Sequence, residues 1–141
     1  MADGYTRRLT LGLAAHLHTA GIARYRDDTP YTAGELGIYT GGDFPLHLDR
    51  ALVIIPGTFT RTEGRASGFT PMQILCRVGK GERITDLMDR LQDTLDRARP
   101  ITLAGLPLRR IEFRSGTWFT ADSLGRATSS QNFHLHGRRP S

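Results

Sequence analysis

The chain has a single cysteine, Cys76, among its 141 residues. That excludes an intrachain disulfide and any multi-cysteine zinc site; a lone Cys76 reads as a small buried apolar residue. Lysine is almost missing as well, since Lys80 stands alone against eighteen arginines. Long hydrophobic runs are absent. The longest, ALVIIP at residues 51–56, falls far short of the roughly 20 residues that cross a bilayer. The opening Met1-Ala2-Asp3-Gly4-Tyr5 lacks the basic stretch and apolar block of a signal peptide. No internal repeat or linker divides the chain, so one domain is expected. Hydrophobic residues at 38% and charged residues at 23% exclude global disorder and collagen-like repeats.

The charge is unevenly placed. Residues 1–98 hold 12 basic and 12 acidic side chains, whereas residues 99–141 hold seven arginines against Glu112 and Asp122. The whole net charge of +5 therefore lies in the last third. Arginine suits protein interfaces because its planar fork makes bidentate bonds and stacks.

Tyr5, Leu9, Leu13, Leu17 and Ala20 recur every three or four residues, which predicts a helix from Tyr5 to Ala20 stopped by Gly21. Gly12 weakens its middle by about 1 kcal/mol relative to alanine, so this helix needs packing to form. Residues 22–25 and 37–39 read as short extended pieces, with a turn at Asp27-Asp28-Thr29-Pro30. Residues 51–56 read as a β-branched strand closed by Pro56-Gly57. Residues 57–70, with three Gly, four Thr and only two large apolar residues, read as an extended loop or flexible hairpin arm. Residues 72–78 alternate as a strand, with Leu75 on the second face indicating partial cover there. Ile84, Leu87, Met88, Leu91, Leu95 and Ala98 predict an amphipathic helix over 82–98. Its outer face offers Asp86–Arg90 and Asp93–Arg97 at i,i+4 spacing. Residues 106–113 and 130–136 read as strands around a loop at 114–127, and residues 137–141 as a frayed basic tail. The expected fold is α+β: a mainly antiparallel or mixed sheet of about four to five strands covered by two amphipathic helices.

The histidines and turn carboxylates are the residues able to carry chemistry. His16 and His18 lie about 200° apart around a helix and cannot share a metal. His134 and His136 share a strand face, but a metal there needs a carboxylate or another histidine from elsewhere; they read as exposed strand histidines. Glu35, Asp43 and Asp49 sit near glycine-rich turns, and spacing marks no partner for any of them. The glycine-rich 37–42 and 79–81 fit no phosphate loop. There is no nucleophile elbow and no His-Glu-x-x-His. The reading assigns no catalytic residue, cofactor or metal, and the chain is not expected to be an enzyme. Arg109-Arg110, Arg114, Arg126 and Arg138-Arg139, with Trp118 and Phe119 for stacking, admit a nucleic-acid-binding module. A basic protein–protein surface is the preferred reading.

Several stretches carry a resemblance: residues 21–26 (GIARYR), 31–39 (YTAGELGIY), 48–53 (LDRALV), 73–79 (QILCRVG) before the acidic helix, and 125–135 (GRATSSQNFHL). Together, over about residues 5–136, the chain resembles the tail terminator or minor capsid proteins at the head–tail junction of long-tailed, siphovirus-type phages of actinobacteria. The resemblance implies a structural virion protein, made in the host cytoplasm and placed in the phage neck. It implies a homo-oligomeric, six-fold ring that caps the tail tube, stops its polymerisation and joins it to the head side. The implied partners are the major tail tube protein and a head-completion stopper, with genomic DNA passing through the lumen unread and no membrane involved. Another neck component such as a stopper is the nearest alternative; helix order favours the terminator. Such a ring uses two different patches per subunit. The charge asymmetry points to Asp86, Asp89, Asp93 and Asp96 meeting Arg109, Arg110 or Arg114 of a neighbour.

Overall fold

A computed structural model describes residues 4–32, 34–41, 44–45, 48–62, 66–97 and 99–140. Helix α1 spans Tyr5–Thr19, strand β1 Gly37–Tyr39, β2 Ala51–Pro56, β3 Thr60–Arg61 and β4 Ser67–Val78. Helix α2 spans Ile84–Leu95, followed by β5 Ile101–Leu103, β6 Leu106–Phe119 and β7 Ala127–Arg138. The class is α+β, but among the described residues the sheet has seven strands rather than four to five. Its path is β1-β2-β4-β7-β6-β5, with β3 also paired to β4. Only β1–β2 is parallel among the named pairs.

The alternation of β4 places Met72, Ile74, Cys76 and Val78 on the helix side, all buried. Register carries Leu52 and Ile54 of β2, and Phe133 and Leu135 of β7, onto the same face. Leu9, Leu13 and Leu17 of α1 and Leu87, Leu91 and Leu95 of α2 complete one continuous core. Helix α1 touches β2 near one edge of the sheet and β5 at the other, so the sheet curls around the helical layer.

The predicted stop at Gly21 is a Schellman motif. The Gly21 N–H donates to the His18 carbonyl and the Ile22 N–H to the Leu17 carbonyl, with Gly21 at φ +77°. Helix α2 ends earlier than Ala98, which lies outside the described residues. Asp96 is already extended, and the Arg97 backbone exchanges two hydrogen bonds with Ile111. The chain leaves the helix because β6 captures it. The expected i,i+4 ion pairs are therefore not formed: Arg97 is no longer helical, and Arg90 donates to the Gly21 carbonyl at 3.2 Å instead.

Other expectations also change. Residues 22–25 contribute a single bridge, Arg24 to Gly37, not a strand. In the 57–70 segment, Phe59 is buried, Thr60 and Arg61 pair with Phe69 and Gly68, and β4 already begins at Ser67; residues 63–65 lie outside the described residues. Of the expected tail, Gly137 and Arg138 join β7, where Gly137 faces both Gly68 and Leu108; Arg139 and Pro140 lie past the strand, and Ser141 lies outside the described residues. The predicted loop at 114–127 is strand as far as Phe119.

On the sheet's second face, Leu75 is accompanied by a buried Arg77. Its guanidinium donates to the carbonyls of Pro45, Leu48 and, at 3.3 Å, Asp49, and lies 4.8 Å from the Phe44 ring centroid. Phe44, Pro45, Leu48 and Asp49 thereby meet this face through Arg77. Over β4, β7 and β6 the second face is more open.

Candidate functional site

Strand β6 carries most of the predicted arginines, and two irregularities decide where they go. Its register to β7 slips between Leu108 and Arg110 and again between Phe113 and Ser115. Arg109 and Arg114 are the extra residues, and such bulges re-aim side chains and change the pleat. Arg109 borders a groove lined by Pro100, Pro107, Leu108 and Gly137. Arg110 and Arg114 instead reach Glu112, at 3.8 and 3.2 Å. Asp96 accepts the Phe113 backbone N–H at 3.0 Å, so its role is to hold the end of α2 onto β6. Asp86, Asp89 and Asp93 are exposed along α2. Among the described residues no ion pair joins the predicted acidic and basic sets within the chain.

The second slip has another consequence. Before it, Phe113 faces Phe133 on the core side; after it, Trp118 pairs with the buried Ser129 and Phe119 with Thr128. Successive residues of a strand point to opposite faces, so Trp118 is aimed to one face and Phe119 to the other. Trp118 is 53% exposed, Phe119 56%, and Leu124 in the connecting turn 63%. Sequence reading placed both aromatics in a loop, where their opposite orientation was invisible.

On the second face, strand pairing brings Glu112 beside His134 and Arg110 beside His136. Nε2 of His136 lies 2.8 Å from Oε1 of Glu112. The Phe69 ring, from β4, stacks on His134 at 4.1 Å and 10° and tilts against His136 at 5.7 Å. One donor atom from each of Glu112, His134 and His136 lies within 4.8 Å of the others. This supplies the carboxylate that the histidine pair lacked in sequence. The hydrogen bond with His136, then Arg114 and Arg110, hold the Glu112 carboxyl below its usual range. Burial, helped by Arg114 and His136, lowers His134, which favours its neutral form.

The remaining candidates are structural in character. Glu35 forms ion pairs with Arg24 at 3.3 Å and Arg26 at 2.8 Å and accepts the Thr32 N–H at 2.8 Å. The Arg26 hydrogen bond, followed by that of Thr32, lowers its carboxyl to about 2. Asp49 is exposed and offers its backbone carbonyl to Arg77. Asp43 lies outside the described residues. Nδ1 of His18 accepts the Tyr25 N–H at 3.0 Å. Cys76 is fully buried, and burial pushes its thiol up to about 12, so it is an inert core side chain. Arg126 pairs with Asp122 at 2.9 Å, and the Arg139 guanidinium lies 5.6 Å from the Tyr5 ring centroid.

No known family model matches the chain, and no curated protein matches it. Among the described residues no helix is long and apolar enough to cross a membrane.

Proposed function

We propose that this chain is a structural virion protein, a tail terminator whose copies form a six-fold ring on the end of a phage tail tube. The reading rests on the resemblance drawn from sequence, and one structural observation favours a role in assembly. The outer half of β6, past its pairing with β5, exposes Trp118 and Phe119 on opposite faces. Large exposed aromatics are the residue type that anchors protein interfaces. In this reading the ring halts addition of the major tail tube protein, and its other side meets a head-completion stopper. It sits in the virion neck and works by shape, without a catalytic step. DNA passes through its lumen without sequence-specific contact.

The acidic face of α2, Asp86, Asp89 and Asp93 foremost, remains the proposed complement to a neighbour's arginines. Asp96 is engaged by Phe113. Arg110 and Arg114 share Glu112, leaving Arg109 as the arginine of the proposed set without an ion pair among the described residues. The same engagements weaken the nucleic-acid reading, because several arginines it needs are already in use.

Assembly is tested by light scattering of the purified chain, alone and with tube subunits. Trp118→Ser is expected to weaken association about thirtyfold, the equivalent of roughly 2 kcal/mol for a central aromatic anchor. Asp89→Lys with Asp93→Lys is expected to weaken it further. Unchanged assembly mass in both variants contradicts the interface. DNA retention that falls steeply with salt and follows Arg109 and Arg138 favours the nucleic-acid reading instead.

A further inference from the structure

We propose that Glu112, His134 and His136 form a binding site for one zinc(II)-type divalent ion on the open face of the sheet. Two imidazoles and a carboxylate are a donor set that borderline divalent metals accept, with a fourth position left for water or another donor. The three side chains come from two hydrogen-bonded strands, so their separation is set by the ladder of β6 and β7 rather than by a loop. Donor atoms around a tetrahedral zinc lie roughly 3.3 Å apart, given metal–ligand bonds of about 2.0–2.2 Å. His136 Nε2 and Glu112 Oε1 are already 2.8 Å apart, and every pair in the set is within 4.8 Å. A change of an ångström or so at side-chain tips closes the site. In this arrangement the metal replaces the proton between His136 and Glu112.

Two features bear on whether an ion is admitted. Phe69 stacks against His134 and leans on His136, which limits the ring orientations available and lowers the ordering cost of binding. Against this, Arg110 and Arg114 compete for the same carboxylate. Both guanidiniums are about half exposed, at 45% and 52%, and exposed ion pairs of this kind are weak. They can swing into water when a divalent ion enters. The site is independent of the ring proposed above, because all three donors belong to one subunit. A bound ion ties β6 to β7.

Calorimetric titration of the full chain with zinc chloride tests this, with cobalt(II) absorption as a readout of coordination. One ion per chain is expected. Affinity should fall at least about tenfold in each of Glu112→Gln, His134→Ala and His136→Ala, and should hold or rise in Arg114→Ala. At a hundredfold excess over the dissociation constant, zinc should raise Tm by roughly 5–10 °C. Long-range nitrogen–proton NMR of the wild-type chain needs no variant to fold. Zinc should move the ring signals of His134 and His136 and leave those of His16 and His18 in place. Absence of binding, binding that survives all three donor substitutions, or shifts confined to His16 and His18 would overturn the site.

Discussion

Replacing Gly12 with alanine sets two effects of opposite sign against each other. Helix propensity alone favours the change by about 1 kcal/mol, since Gly12 lies inside α1. The packing argues the other way. A Cβ at Gly12 meets the Ala104 nitrogen and the Leu103 carbonyl carbon and Cβ, each at 2.9 Å, where carbon–carbon contacts favour about 3.5–4.0 Å. These atoms belong to the tight β5–β6 turn, with Ala104 at φ 51° and Gly105 at φ +76° and Leu103 buried and paired with Leu106. The turn has little room to yield, so α1 must move away from β5 by roughly half an ångström or more. Overpacking of this kind costs about 1–3 kcal/mol. After the propensity gain, Gly12→Ala should be destabilising by about 1 kcal/mol, a Tm drop of roughly 3–5 °C. Urea unfolding followed by circular dichroism, with the m-value unchanged, measures it. A variant that is more stable by about 1 kcal/mol, as isolated-helix propensity demands, would refute the close approach of α1 to β5 that closes the curled sheet.

Arg77→Ala should cost roughly 2–4 kcal/mol, because it empties a buried site and leaves the carbonyls of Pro45, Leu48 and Asp49 without their donor; Arg77→Met should recover the packing part only, and a loss below about 0.5 kcal/mol in both would contradict the role given to Arg77. Glu35 makes stability depend on acid. Its folded-state carboxyl lies at about 2, below its unfolded value of about 4.3, so its contribution is complete above that unfolded value and is lost as pH falls from there toward 2. Glu35→Gln should flatten the stability curve across that window, and an unchanged acid limb would rule Glu35 out as its source.

The helices were legible because their information is local. The Leu9–Leu13–Leu17 stripe and Gly21 fixed α1, and the stripe from Ile84 to Leu95 fixed α2. What sequence hid depends on partners distant along the chain. Strand β5 has three residues, and its Ala104-Gly105 turn lacks the usual Asn-Gly or Asp-Gly signal. The outer half of β6 runs Arg-Ser-Gly-Thr and then places two aromatics side by side, so no alternation marks residues 114–119 as strand. Arg77 reads as a surface charge until Phe44, Pro45, Leu48 and Asp49 meet it. His134 and His136 were visible as a pair, but Glu112 joins them only through the β6–β7 register, which the bulges at Arg109 and Arg114 set. The expectation that α2 continues to Ala98 failed because Arg97 pairs with Ile111, a contact no helical periodicity encodes.

Electron microscopy of particles produced with and without this chain tests its proposed role most directly, through the distribution of tail lengths. Capping by a ring predicts that its loss yields tubes of variable and excessive length detached from filled heads, and that the wild-type chain restores a single length. Tails of uniform length, firmly joined to heads in the absence of the chain, would contradict it.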